Sequence, residues 1–376
     1  MYFLDGDRLY IKPENSCKSL DSQIDNCLQQ IRKINSGKRI FKLNFFVDTS
    51  SRESYAKLKQ NLSNQVKELF SGNILLGFFA QPPLTCKIIV EAFYYDYSVW
   101  KAEFDTSKYG STVLFRKDTT GVLVGNVQAD LGEGCKKNAE QAFYELNLLF
   151  EKYHFPVHSI IRQWNYLEDI LGFDGDQQRY QEFNNIRSQY YGNVFEKTGY
   201  PAATGIGMNS GGVIIEFVAL KSDEALTKPV DNPGQVAAHH YSKQVLVGDE
   251  CVLKTTPKFE RARYLELLGK KMIFISGTAS IIGEKTVGLD DPEEQTKVTI
   301  QNIQRLYSVE VLEKIAGKNT VARYGHARVY IKNRKDFHTI KRTFQRFYGN
   351  LPVVYIVADI CRNDLLVEIE GKVILE

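Results

Sequence analysis

An order of predicted elements, β-α-β-α-β-β, occurs twice in the chain, and this internal repetition constrains the fold more than any other feature of the sequence. In the first copy, residues 122–128 (VLVGNVQ) read as an apolar strand. A helix follows, with Ala139, Ala142, Phe143, Leu146, Leu149 and Phe150 on one face at helical spacing. Residues 159–166 predict a second strand, 177–191 a second helix, and 202–220 a hairpin of two strands joined by a Gly-rich turn. The order returns from Ile273. There IFISGTA is a strand, the helix after Pro292 carries Ile300, Ile303 and Tyr307, 323–331 is a strand, 336–348 a helix and 352–374 a second hairpin. Glu216 follows Pro201, and Glu368 follows Pro352, at nearly equal spacing, which predicts one glutamate at the same point of each last strand.

A third, shortened copy opens the chain, with a strand at 41–47, a helix at 53–70 and a strand at 83–93 that carries Glu91 where the other copies hold Glu216 and Glu368. Its front half reads as missing or degenerate. Each unit is an open sheet with helices on one face, so three units can bury their bare sheet faces against one another around an axis. The expected fold is therefore α/β, an intramolecular pseudo-trimer. Its units are a degenerate N-terminal unit at 1–110, a second at 111–221 and a third at 261–376, with a connector at 222–260. A connector of that length inside a compact chain points to a functional role.

Composition narrows the function classes. The 376 residues are 43% hydrophobic and 25% charged, which is ordinary globular composition. A net charge of +3 is too small to serve as an electrostatic footprint for nucleic acid or an anionic membrane, and neither partner is expected. The first seven residues, MYFLDGD, lack the basic and apolar regions of an export signal, and no stretch reaches the length of a membrane span. Six cysteines, Cys17, Cys27, Cys86, Cys135, Cys251 and Cys361, contain no CxxC pair and read as reduced thiols in a cytoplasm.

Several candidate sites dissolve on inspection. The glycines of 205–211 have the wrong spacing for a phosphate loop and run into a strand, so they read as a turn. His239 and His240 lack metal-ligand spacing, and adjacent side chains on a strand point apart. No cofactor is expected. Polar residues in apolar settings remain. Tyr180, Phe183 and Arg187 share one face of a predicted helix, where the arginine either holds an anion or snorkels to solvent. Glu368 and Glu370 alternate onto one face of the strand LLVEIEG. That face is either buried, with its carboxyls paired or protonated, or turned to solvent.

These segments resemble a known family. SGTASIIG at 276–283, EQT at 294–296 followed by Asn302 and Ile303, and VEIEG at 367–371 resemble the Rid (YjgF) reactive-intermediate deaminases. A closer resemblance covers 120–376: WNY (164–166), RYQEFNNIR (179–187), PAATGIG (201–207), NPGQVAAHHY (232–241), FERA (259–262), SGTASIIG and CRNDLLVEIEG (361–371) together resemble the chorismatases, enzymes on a Rid-like scaffold that split chorismate. Where that family has proline and then arginine after the HHY tyrosine, this chain has Ser242 and Lys243 and a longer stretch to Phe259.

The resemblance implies roles. Glu368 is the catalytic acid/base, Tyr180 and Arg187 contact substrate, and Tyr241 and Arg261 do the same from the HHY and FxRA segments. Cys361 accompanies hydroxybenzoate formation in the family, which favours 3-hydroxybenzoate and pyruvate as products. The 4-isomer, a mixture, and hydrolysis to a dihydroxycyclohexadiene carboxylate stay open, as does a purely packing role for Cys361. Chorismate carries two carboxylates, which suits two arginines, and its enol ether breaks once the methylene carbon is protonated by an acid kept neutral in a dry site. A small-molecule substrate and a monomer, the trimer being internal, are the expected partner and state. Two rival readings are a Rid-type enamine or imine deaminase and a non-catalytic metabolite-binding protein. Against the first, the deaminase arginine is replaced by Ala202 and Ala203 in one copy and by Val353 and Val354 in the other.

Overall fold

The structure, a computed structural model, describes residues 8–34, 37–49, 51–242 and 254–376. Cys251 and Lys243 lie outside the described residues. Three copies of one arrangement are present. The first unit has strands Arg8–Ile11, Arg39–Val47, Leu75–Phe79 and Ile88–Tyr95 with helices Leu20–Lys33 and Arg52–Leu69. In the second the strands are Thr120–Ala129, Ile160–Glu168, Ala202–Met208 and Val213–Lys221, and the helices Cys135–Lys152 and Arg179–Tyr191. The third has strands Lys270–Ala279, Ala322–Ile331, Val353–Val357 and Val367–Leu375 with long helices Pro292–Arg305 and Phe337–Tyr348. Edge strands Lys101–Thr106 and Gly110–Lys117 widen the second sheet, and Leu226–Val230 and Ala262–Leu267 widen the third.

The helices form where sequence demands. Cys135–Lys152 buries the six apolar residues predicted from spacing. Pro292 sits in the first turn of its helix, where a missing N–H costs nothing, and the Asp291 side chain caps the backbone of Glu293 and Glu294. In each unit the helices cover one sheet face over a separate apolar core, and the opposite faces of all three sheets meet in a central cluster that includes Phe46, Phe79, Tyr166, Ile206, Tyr330 and Ile356. The expected α/β architecture of repeated units with helices on one face is thus present. No helix among the described residues is long and apolar enough to cross a membrane.

Three expectations need correction. The front half of the first unit is present, as Arg8–Ile11 and Leu20–Lys33. Among the described residues its opening strand is four residues long, and its helix is largely polar apart from Ile24, Cys27, Leu28 and Ile31, which weakens the pattern. The two expected hairpins are not hairpins. In every unit the strand order is opening, last, second, third, so the third strand pairs parallel with the second and the last strand inserts on the second strand's other side. The helix between second and third strands enforces the parallel pairing. In the second unit the chain then arcs over the end of strand Ile160–Glu168, where Glu168 Oε2 accepts the N–H groups of Gly211 and Gly212 at 3.0 and 2.9 Å.

The third correction concerns the glutamates. Each second strand carries a β-bulge, after which come Lys42, Arg162 and His326 respectively. Aligned on these bulges, Glu91 opposite Asn44 corresponds to Glu216 opposite Trp164 and to Glu370 opposite Arg328. The counterpart of Glu216 is therefore Glu370, not Glu368. At the position of Glu368 the other units hold Ile89 and Ile214. Proline spacing misled because the link between third and last strands is longer in the third unit, running from Ala358 to Leu366.

The three equivalent glutamates form a buried ring about the axis. Glu91 of the first unit takes Arg328 of the third at 2.5 Å and Arg8 of its own unit at 2.7 Å. Glu216 of the second pairs with Lys42 of the first and accepts from Asn44 at 3.0 Å. Glu370 of the third pairs with Arg162 of the second and accepts from Trp164 Nε1 at 2.7 Å. Burial acts to raise the Glu91 carboxyl, but the guanidinia of Arg328 and Arg8 overcome it and hold the group down at about 2.

Candidate active site

At the seam between the second and third units lies a cleft open to solvent. The second unit supplies Tyr180 and Asn184 from helix Arg179–Tyr191 and Ala203 and Gly205 from its third strand. From the third come Gly277 and Ala279 of its opening strand, Glu368 of its last strand, and Cys361 and Arg362 of the long link. The connector region closes the remaining side with Tyr241, Pro257 and Phe259, followed by Arg261.

Glu368 is only 4% exposed, which excludes a face turned to solvent. Its Oε1 has no hydrogen-bond partner among the described residues. Burial, reinforced by the neighbouring charge of Glu370 and opposed by Arg162 and Arg261, raises its carboxyl to about 8. At neutral pH the group is thus mainly a carboxylic acid, able to give up a proton into the cleft. Arg261, 5% exposed, donates to the Val236 carbonyl at 2.7 Å and to the Tyr241 hydroxyl at 2.5 Å, and its Nε has no hydrogen-bond partner among the described residues. Burial, with the Glu368 charge, pushes the Cys361 thiol up to about 12, so this sulfur stays protonated and is a poor nucleophile. Cys361 also packs against two apolar clusters, so it both lines the cleft and fills space.

Five of the six residues singled out from sequence, Tyr180, Tyr241, Arg261, Cys361 and Glu368, line this one cleft. Arg187 stands behind it. Fully buried, it cannot snorkel; its Nη2 donates at 2.6 Å to Oδ1 of Asn184, whose side chain reaches the cleft, and its Nε has no hydrogen-bond partner among the described residues. His239 and His240 do not point apart along a strand. They occupy a 3₁₀ turn, Ala238–His240, with ring centroids 4.3 Å apart, because the turn puts consecutive side chains on neighbouring directions.

Sequence reasoning passed over Arg362, Asn184, Gly205 and Gly277. Arg362 follows Cys361 in a quoted motif and was there to be read; its Nη1 donates to the Glu284 carbonyl at 2.7 Å and its guanidinium lies 5.2 Å from the Tyr241 ring centroid. Glu284 also accepts from the N–H and Oγ of Ser242, at 2.9 and 2.7 Å, which ties the connector to the cleft's mouth. Gly205 and Gly277 stand in the PAATGIG and SGTASIIG segments, but nothing local shows what faces them. A Cβ at Gly205 would stand 3.1 Å from the Tyr180 ring, and one at Gly277 would collide with Oε1 of Glu368.

The fold is that of the chorismatases: the chain superposes on the crystal structure of a chorismatase with a TM-score of 0.72 over 98% of each chain, at 22% identity, a likeness of architecture. Residues 98–219 match the family described as chorismatase FkbO/Hyg5-like, N-terminal. Two relatives come from Streptomyces hygroscopicus. One, a 3-hydroxybenzoate synthase, is 31% identical over 228 residues, covering 58% of this chain and 64% of its own length. The other, a chorismatase, is 33% identical over 220 residues, covering 57% and 61% respectively. The matches span less than two thirds of those relatives. The resemblance to chorismatases drawn from the motifs is borne out by these matches, and the expected α/β fold by the superposition.

Proposed function

We propose that this protein is a chorismatase that cleaves chorismate to pyruvate and 3-hydroxybenzoate, with Glu368 as the general acid/base. The observation that carries this reading is a carboxyl raised to about 8, its Oε1 without a hydrogen-bond partner among the described residues, set in a cleft lined by Arg261, Arg362, Tyr180 and Tyr241. Glu368 protonates the methylene carbon of the enol ether, giving an oxocarbenium-like species whose link to the ring is weakened but still intact. Arginine and tyrosine donors hold the substrate's carboxylates, with Arg187 acting through Asn184. The adjacent ring hydroxyl then displaces pyruvate and the ring aromatises, a sequence that consumes no net water. Cys361 occupies space beside the acid, which supports exclusion of the water that hydrolysis to the diene would require. Because the three sheet faces bury one another within one chain, a single copy holds the whole cleft, which supports action as a monomer.

The deaminase reading has no arginine at its required positions. A non-catalytic scaffold gives no reason for a buried, protonated glutamic acid facing an open cleft. Incubating the purified protein with chorismate, quantifying pyruvate and identifying the ring product by mass and ultraviolet spectrum tests the proposal; unchanged chorismate would refute it.

A further inference from the structure

The strand that carries Glu368 carries a second buried glutamate on the same face, Glu370, the third unit's member of the axial ring. Its ring counterparts Glu91 and Glu216 have isoleucine two residues earlier, so Glu370 alone among the three has a second carboxyl beside it. The Glu370 carboxylate is held from two units: Arg162 and Trp164 of the second, and Arg328 at 3.2 Å and Tyr330 at 3.3 Å of its own. Thr204 completes the set. Its hydroxyl donates to Glu370 Oε2 and accepts from Arg162 Nη2 at 2.7 Å and from the backbone N–H of Gly277 at 3.0 Å. Gly277 is the residue against which Oε1 of Glu368 rests. The neighbouring Ser276 is fixed as well, its Oγ donating to the Glu260 carbonyl at 2.6 Å and accepting from the N–H of Ala203 at 2.9 Å.

We propose that Glu370, with Thr204, is a positioning residue for Glu368: the pair fixes the Gly277 backbone against which the acid rests, and it sets a second carboxyl beside the acid on the same strand face. The proposal rests on reading Glu368 as the acid of chorismate cleavage. The charged and titratable groups that face Glu368 are Glu370 on its own strand, Tyr330 on the paired strand, Arg162 from the second unit, Tyr180 from the helix, Cys361 from the link and Arg261. Arg162 and Arg261 favour the ionised form; Glu370 is the charge that favours the protonated one. One ring member thus has two tasks. It closes the seam between units and it conditions the acid two residues away.

Three variants separate these tasks. Glu370→Gln keeps the shape and removes the charge, and should move the alkaline limb of the kcat profile down by about one pH unit with KM little changed. Glu216→Gln makes the same change at a ring position that has no neighbouring acid; it should lower the melting temperature and leave the limb in place. Thr204→Val should lower kcat about tenfold by freeing Gly277, and Thr204→Ser, which retains the hydroxyl, should restore it. An unmoved limb in Glu370→Gln, or an equal shift in Glu216→Gln, overturns the proposal. If Glu370→Gln fails to fold, the Thr204 pair decides, and a valine variant as fast as the parent overturns it. Infrared difference spectra between the parent and Glu368→Gln follow ionisation of Glu368 without substrate, and the same measurement in the Glu370→Gln background reports the charge effect. That readout stands whether or not chorismate is the substrate, whereas the chorismate assay on the parent tests the underlying reading separately.

Discussion

Gly277 and Glu368 meet across paired strands so closely that a side chain on one would displace the carboxyl of the other. The opening strand of the third unit changes register between Ile275 and Thr278, and the bulge turns the backbone of Gly277 toward the acid. A Cβ there would collide with Oε1 and stand 3.1 Å from Cγ2 of Thr204. Gly277→Ala should therefore lower kcat by about 10²-fold through displacement of the acid. Circular dichroism should show an intact fold, since the collision involves the end of a side chain.

Replacing the acid itself separates binding from chemistry. Glu368→Gln keeps volume and loses the transferable proton, so kcat should fall by at least about 10²-fold while KM changes little. In the parent the active form is the protonated one. Activity should be full near neutrality and decline as pH rises through about 8. A rate that instead rises across that range would remove Glu368 from the acid role.

The same carboxyl couples stability to pH. Its folded value of about 8 lies above the ordinary 4.5, so between those limits the native state holds a proton that the unfolded chain has released. Raising pH through this window favours unfolding. The contribution is complete below about 4.5 and lost above about 8. Melting temperature plotted against pH should fall more steeply in the parent than in Glu368→Gln.

The two arginines should differ. Arg261 lines the cleft, so Arg261→Ala should raise KM for chorismate by roughly 10- to 100-fold, the loss of a charge-assisted hydrogen bond of about 2 kcal/mol. Arg187 reaches the cleft through Asn184. Arg187→Ala should raise KM, lower kcat through misorientation, and depress the melting temperature, because it empties a buried site. Steady-state kinetics beside calorimetry distinguishes the two patterns.

Cys361→Ala tests product choice. Removing the thiol beside Glu368 leaves room that a water can occupy if polar groups line it. Pyruvate release should persist while the ring product shifts toward the dihydroxycyclohexadiene carboxylate, one water heavier than hydroxybenzoate, as read by mass spectrometry. An unchanged product would leave Cys361 a packing residue.

Much of this arrangement is written locally in the chain. The helices of the second and third units follow from apolar spacing and from the Asp291-Pro292 start, and the residues converging on the cleft sit in short motifs that survive reading one at a time. What stayed hidden depends on pairing across distance. The hairpins were misread because strands adjacent in sequence are separated in space by a third, a relation no turn propensity encodes. Glu368 was matched to Glu216 because residue counts ignore the β-bulges that set register. Gly277 looks like any strand glycine until the opposing carboxyl is in view. Arg362 is the exception, a charged residue within a recognised motif that needed no structure to be considered.

The ring of Glu91, Glu216 and Glu370 has a consequence for how such a molecule can change over time. Each glutamate draws a cation from a different unit, in one direction around the axis, so the circuit closes only when all three are present. Deleting any unit would strand a charge in a dry interior, at a cost of several kcal/mol. The first unit holds no acid at the position of Glu368 and yet is indispensable as the keeper of Lys42 and Glu91. Two units are thereby free to lack the acid, and neither is free to be lost.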